Sequence, residues 1–196
     1  MESFTFKVVV AGPFGVGKTT LIRHISSVPV VGTVVPTTGD EALVKDTTTV
    51  GIEYGVLVLD DDDLRAELVL IGTPGQSRFD IMRDIARLGM DGLLLLVDVS
   101  DPSTWDEARA LADSLLGESL APMVVGANRW EAANGEVDAL RSRLGFGHDI
   151  PILRCNVVDP QSSRDLVVEL LARVLDNLAM SPHLVGDLPW PAQPRS

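Results

Sequence analysis

Lysine is scarce in this chain: Lys7, Lys18 and Lys45 are all it has, against a net charge of −12. Nucleic acid and anionic membrane surfaces are held by clustered Lys and Arg, so neither is an expected partner, and the acidic excess reads as a solubility feature. Cysteine is scarcer still. Cys155 alone excludes an internal disulfide, and its place in an apolar run points to a buried, inert thiol. Long apolar runs are missing too: the longest block is residues 93–97, far below the roughly 20 residues a membrane helix needs. The start of the chain, with Glu2 and a very short apolar run, lacks the charged-then-apolar layout of a secretory signal. Position 2 has no glycine for myristoylation, and the ending Pro194-Arg195-Ser196 has no cysteine to prenylate. The expectation is a protein of the reducing cytoplasm with no direct membrane anchor.

What the chain does have is apolar mass, 45% of 196 residues, enough for one domain with a full core and too little length for two. Its most informative stretch is Gly12-Pro13-Phe14-Gly15-Val16-Gly17-Lys18-Thr19-Thr20, which follows an apolar run and opens an amphipathic one. This is the pattern of a phosphate-binding P-loop. Glycines let successive backbone N–H groups turn inward on a phosphate chain, Lys18 reaches the terminal phosphates, and the Thr19 hydroxyl can ligate Mg²⁺. The positive end of the helix that follows adds to the same site. A glycine turn beside a surface lysine is the plain alternative; chance would give this spacing in about 0.003 of chains of this composition, which sets it aside.

Along the chain, residues 4–11 read as a strand buried on both faces, and a first helix should run from the P-loop to about Ser27, stopped by Pro29. Residues 30–49 have no clear period, and a loop of that length inside a compact domain is usually functional. Val50, Ile52, Tyr54, Val56 and Val58 then face one way along a half-buried strand. Four aspartates, residues 60–63, make a solvated turn, and residues 65–71 alternate again, so the two strands form an antiparallel hairpin. Residues 77–88 suit a helix, and residues 92–99 are the most apolar strand, hence central. A helix after Pro102 places Trp105, Ala108, Ala112 and Leu115 on one face, as core. Residues 121–127 are the next strand, ending at Asn128. Val137, Leu140 and Leu144 mark a short helix, residues 150–155 the last strand, and Leu166, Val167, Leu170, Leu171, Val174 and Leu178 the last helix. Residues 181–196 hold four prolines and no period, an extended or disordered tail beyond a domain spanning residues 1–180, with disorder favoured over a docking patch at Pro189-Trp190-Pro191. Strands alternating with helices, with one early hairpin, give an α/β fold of the P-loop NTPase kind: a mostly parallel six-stranded sheet with one antiparallel edge strand and helices on both faces. Ligands of such sheets bind beyond the carboxyl ends of the strands.

Those strand ends carry three further loops. Thr49-Val50-Gly51-Ile52-Glu53-Tyr54 resembles the first switch of Rab-type GTPases, Gly72-Thr73-Pro74-Gly75-Gln76-Ser77-Arg78-Phe79 resembles their second switch, and Asn128-Arg129-Trp130-Glu131 resembles the base-reading Asn-Lys-x-Asp. With the P-loop, these identify the chain, over residues 4–179, as similar to the Ras-like small GTPase superfamily, and most of all to its prokaryotic members of the conservon and MglA types. The resemblance implies a switch that binds GTP and GDP with Mg²⁺ and hydrolyses GTP. It implies that residues Gly12, Phe14, Gly15, Val16, Gly17, Lys18, Thr19 and Thr20 wrap the phosphates, with Lys18 also catalytic, and that Thr19 and Thr49 ligate the metal. Thr49 would sense the γ-phosphate, with Thr47 or Thr48 able to take its place; Gly75 would donate its N–H to that phosphate and Gln76 would orient the attacking water. Asn128 would bridge the base and the P-loop, with Arg129 standing where lysine is usual, and Glu131 would accept the guanine N1 and N2 protons. Asn156 and Val157 would form the remaining base loop, the Val157 N–H reaching guanine O6. The implied partners are an effector and an activating protein at the switches, such as a small roadblock-type dimer.

Two residues depart from that pattern. The second switch usually opens with an aspartate that holds a water on Mg²⁺; Gly72 stands there, so metal binding is weaker or another group completes it. Phe14 occupies a P-loop position where many relatives need glycine to leave room for the catalytic glutamine. Both changes favour slow turnover. They also keep open a non-hydrolysing scaffold, while a P-loop kinase or ATPase would leave the second switch and the Asn128 loop without a purpose.

Overall fold

The computed structural model describes residues 2–32, 34–36, 47–49, 52–60, 64–74, 86–130 and 137–180. Its centre is a six-stranded sheet built from β1 (Glu2–Ala11), β4 (Glu53–Asp60), β5 (Leu64–Gly72), β6 (Gly92–Asp98), β7 (Met123–Asn128) and β8 (Ile152–Cys155), in the order β4-β5-β1-β6-β7-β8. All neighbours pair in parallel except β4 with β5, which places the antiparallel strand at one edge, as expected.

The interior strands are short apolar runs because both of their faces are covered. Side chains alternate across the sheet. On one face Val8, Val10, Leu94, Leu96 and Val124 meet α1 (Lys18–Ile25) and the last helix, Pro160–Met180, here α4, through Leu21, Ile22, Leu166, Val167 and Leu170. On the other, Val9, Leu93, Leu95, Val97 and Val125 meet α2 (Trp105–Leu116) and α3 (Val137–Leu144) through Ala108, Ala112, Leu115, Leu140 and Leu144. Each fully buried Leu or Ile of this kind contributes about 1.5–3 kcal/mol. Every residue of β6 is buried, in keeping with its central place.

Two local readings change. Residues 30–49 are not without strands: β2 (Val34–Pro36) and β3 (Thr47–Thr49) pair antiparallel as a separate two-stranded sheet, too short for a period to show. In β4 the buried face is Glu53, Gly55 and Leu57, not the Tyr54–Val56–Val58 side, which is half-buried or exposed. The reason is α1. A Cβ on Gly55 would lie 2.8 Å from Ile22 Cγ2, so the helix rests on the odd-numbered face, and its end is tied there by Ser27 N donating to Val56 O (2.6 Å) and Val56 N to Ser26 Oγ (3.1 Å).

Trp105 is half-buried and its indole N–H donates to Asp98 O (2.8 Å), a core role. Cys155 is buried as expected, and desolvation pushes its thiol up to about 12, which keeps it protonated and unreactive. The remaining expectations, the aspartate turn beyond Asp60, the helix over most of residues 77–88 and the tail 181–196, lie outside the described residues. Among the described residues no helix is long and apolar enough to cross a membrane.

Candidate functional site

The carboxyl ends of β1, β7 and β8 bring three loops together. The first is residues 12–17, between β1 and α1. Its glycines have the backbone that only glycine adopts readily: Gly12 has φ 149° and Gly17 has φ 109°. A Cβ on Gly12 would lie 2.4 Å from Leu96 O, and one on Gly17 would lie 2.7 Å from Val157 Cγ2. The loop is therefore pressed against β6 on one side and against the loop after β8 on the other.

Gly17 is also the N-cap of α1. It offers no side chain to the helix end, and the first turn holds no acidic residue. The initial N–H groups of α1 are thus left for an anion, with the helix dipole favouring negative charge. Lys18 is only 8% exposed, and its Nζ donates to Gly12 O (2.7 Å) and Pro13 O (2.8 Å), curling over the loop that it would serve. Thr19 and Thr20 follow, half-buried, and Thr19 Oγ1 donates to Glu53 Oε2 (2.8 Å). Phe14 is half-buried on the loop, and Val16 is in the core.

Asn128 ends β7 and is 2% exposed. Its Nδ2 donates to Val16 O (2.9 Å) and its Oδ1 accepts from Val157 N (3.2 Å), so one buried amide ties the P-loop to the loop after β8. Leaving either end unpaired would cost about 1–3 kcal/mol, which makes the tie a rigid one. Arg129 has φ 60°, donates from Nη2 to Gly15 O (2.9 Å) and forms an ion pair with Asp98 through Nη1. Asp98 is itself held by Ser100, whose N–H and Oγ both donate to Oδ1. In the last loop Asn156 is exposed, its N–H donating to Ser162 Oγ (3.0 Å), and Val157 O accepts from or faces His24 Nδ1 at 2.9 Å. The Val157 amide, which the resemblance gives to guanine O6, bonds Asn128 here.

The structure thus gathers Gly12, Phe14, Gly15, Val16, Gly17, Lys18, Thr19, Thr20, Asn128, Arg129, Asn156 and Val157 at one end of the sheet. Thr49 ends β3, but its side chain lies outside the described residues, as do Gly75, Gln76 and Glu131. Three contributors escaped the sequence. Asp98 shows only as the first polar residue after an apolar strand, His24 as a helix-surface residue, and Glu53 as part of a switch motif. Glu53 is 3% exposed, buried at the carboxyl edge of the sheet against Thr19.

Among the described residues no group of three or more His, Cys, Asp or Glu is placed to hold a metal. The oxygen pair of Thr19 and Glu53 beside the P-loop suits Mg²⁺, which prefers oxygen, keeps several waters, and is shared between one or two protein groups and phosphates. Thr73, directly after Gly72 in the chain, carries a buried hydroxyl with no hydrogen-bond partner among the described residues.

Comparison with known proteins gives a consistent answer. A family model described as the Ras family matches residues 7–143. The chain is 20% identical to the GTP-binding protein YPTM2 of Zea mays over 98% of its own length and 91% of that protein's. It is 31% identical to the uncharacterized protein MJ1339 of Methanocaldococcus jannaschii, over 70% of this chain and 77% of the other. With the Ras-related protein Rab-26 of Drosophila melanogaster it shares 28% identity over 78% of this chain and 38% of the longer partner.

Proposed function

The chain belongs to the Ras family, and we propose that it is a GTP-binding molecular switch with slow hydrolysis of its own, cycling between GDP and GTP states to control a partner protein. The observation that carries this reading is the buried Asn128 amide joining Val16 of the P-loop to Val157 of the last strand's loop. It couples a phosphate-binding element to the place where a base would sit, which a generic phosphate loop does not need.

In this reading the N–H groups of the loop and of the start of α1 bind the β- and γ-phosphates, and Lys18 turns from the Gly12 and Pro13 carbonyls to them. Mg²⁺, when bound, neutralises charge on the same oxygens. Gln76 positions a water in line with the γ-phosphorus. The new P–O bond forms to that water as the bond to the β–γ bridging oxygen breaks, releasing inorganic phosphate and GDP. Thr49 and Gly75 report the γ-phosphate to the two switches, where an effector and an activator bind. Asn128, Arg129, Asn156, Val157 and Glu131 form the base end, Arg129 bracing the P-loop at Gly15 O.

Chromatography of the nucleotide released when the purified chain is denatured tests the class. Guanine nucleotide is the expected result; adenine nucleotide, or an empty protein that binds no added GDP, overturns it. Base choice should rest on Glu131, because only a carboxylate accepts both guanine donors and adenine offers no such pair. Removing a bidentate acceptor typically takes away about 1–3 kcal/mol of discrimination. Glu131→Ala should therefore narrow the GTP-to-ATP affinity ratio about 5- to 150-fold by competition binding, and an unchanged ratio would place base reading elsewhere. Gly72 supports a second reading, a scaffold that binds GTP without hydrolysing it; single-turnover assays with radiolabelled GTP separate the two.

A further inference from the structure

We propose that Glu53, reaching across from β4, is the carboxylate of the Mg²⁺ site, in place of the aspartate that the second switch lacks at Gly72. The inference rests on the nucleotide-binding reading above and adds a residue to it.

The pairing of the two edge strands sets up the exchange. Glu53 and Gly72 are direct partners in the antiparallel β4–β5 ladder. Partners in such a pair project side chains on the same face a few ångströms apart. A carboxylate from either strand can therefore serve the same volume. Glu53 fills it: its carboxylate oxygen Oε2 accepts from Thr19 Oγ1 at 2.8 Å, and Thr19 is the hydroxyl that follows the P-loop lysine.

The geometry also shows why position 72 is glycine. A Cβ there would lie 3.2 Å from Glu53 Cβ, 3.2 Å from Glu53 Oε2 and 2.8 Å from Ile22 Cδ1. A side chain at 72 would press on Glu53, which would have to give by a few tenths of an ångström, and would push the end of Ile22 aside. An aspartate would in addition set two carboxylates side by side, where like charges resist joint ionisation. One carboxylate fits, and the chain takes it from β4. The extra methylene of glutamate, compared with aspartate, supplies reach from the neighbouring strand.

Chemically the arrangement suits a hard cation. Thr19 can keep donating its proton to Glu53 while its oxygen lone pairs stay open to the metal, so Glu53 orients the hydroxyl and adds a negative charge beside the ion. Partners of this kind are worth about 10- to 100-fold in metal affinity. Nothing in this role requires Glu53 to touch the nucleotide.

The test is the release of fluorescently labelled GDP from the full chain as Mg²⁺ is varied, for wild type, Glu53→Gln, Glu53→Ala and the double variant Glu53→Ala/Gly72→Asp. Glu53→Gln keeps shape and hydrogen-bonding capacity, which guards against a folding artefact. Both single variants should need at least tenfold more Mg²⁺ to slow release, with GDP affinity in EDTA within about twofold of wild type. Mn²⁺ titration followed by EPR should show the same weakening. The double variant should regain most of the lost metal affinity, because removing the Glu53 side chain clears its carboxylate from the space that position 72 would use. Wild-type Mg²⁺ dependence in both single variants overturns the proposal. A wild-type chain that binds labelled GDP with no Mg²⁺ effect does so too, while one that binds no labelled GDP at all overturns the nucleotide reading and this proposal with it.

Discussion

Lys18→Ala should lower the affinity for GDP and GTP by about 10²- to 10⁴-fold while leaving the fold in place. The expectation follows from where the ammonium sits. Lys18 is nearly buried and its Nζ lies on two carbonyls of the very loop that would wrap the phosphates. It is one of only three lysines in the chain, and no other lies in the loop. A charge-assisted hydrogen bond to phosphate is worth roughly 1.5–3 kcal/mol, and the side chain can make two, one to each terminal phosphate. Their sum gives the range above. The empty protein loses some stability as well, because the buried Gly12 and Pro13 carbonyls lose their donor, at about 1–3 kcal/mol for each left unpaired, partly offset by removal of the buried cation. Isothermal titration with each nucleotide, alongside thermal unfolding of the empty protein, checks the claim. Unchanged affinity in a folded Lys18→Ala protein would falsify the P-loop assignment.

How far this site could be read from the sequence depended on whether a feature was local. The P-loop was plain because its chemistry lies within nine consecutive residues, and the structure puts the first six between β1 and α1, with the glycines at backbone positions that demand them, and Lys18, Thr19 and Thr20 in the first turn of α1. The sheet was legible for a similar reason: continuous apolar runs such as residues 93–97 mark strands covered on both faces. Features set by contact between distant residues were not. The buried face of β4 is decided by α1 resting on Gly55, against the pull of an apolar Ile52–Tyr54–Val56–Val58 alternation. β2 and β3 are only three residues each and are defined by each other. Glu53 is the sharpest case. Its partner Gly72 is distant along the chain, and only the register of the hairpin shows that an absent carboxylate on one strand faces a present one on the other.

That exchange bears on the last expectation, that GTP hydrolysis by the chain alone is slow and is accelerated about 10³- to 10⁵-fold by a partner engaging both switches. Phosphoryl transfer depends on positioning and on charge stabilisation, and a group supplied or reordered by a second protein is worth factors of that size. Three features make such help necessary. Phe14 stands at the P-loop position where family members with glycine leave space for the glutamine, so in the proposed mechanism a phenyl ring would crowd the space that Gln76 needs. No arginine lies between Arg23 and Thr49 to act from within the first switch. Glu53 accepts from Thr19 at the proposed metal end of the site, so in this mechanism the attacking end would rest on Gln76. The resemblance to conservon and MglA switches suggests a small roadblock-type dimer as the partner, acting from the switch face. Single-turnover hydrolysis should then show a slow wild-type rate, a faster one for Phe14→Gly without the partner, and a Gln76→Ala rate that stays low with or without it. If the partner merely reorders Gln76, Phe14→Gly should gain less from it than wild type does. If it inserts a charged group, both should gain alike and an alanine scan of the partner's basic residues should find that group. A fast wild-type rate that the partner leaves unchanged, or a Gln76→Ala rate equal to wild type, would sink this mechanism while leaving the fold and the nucleotide site intact.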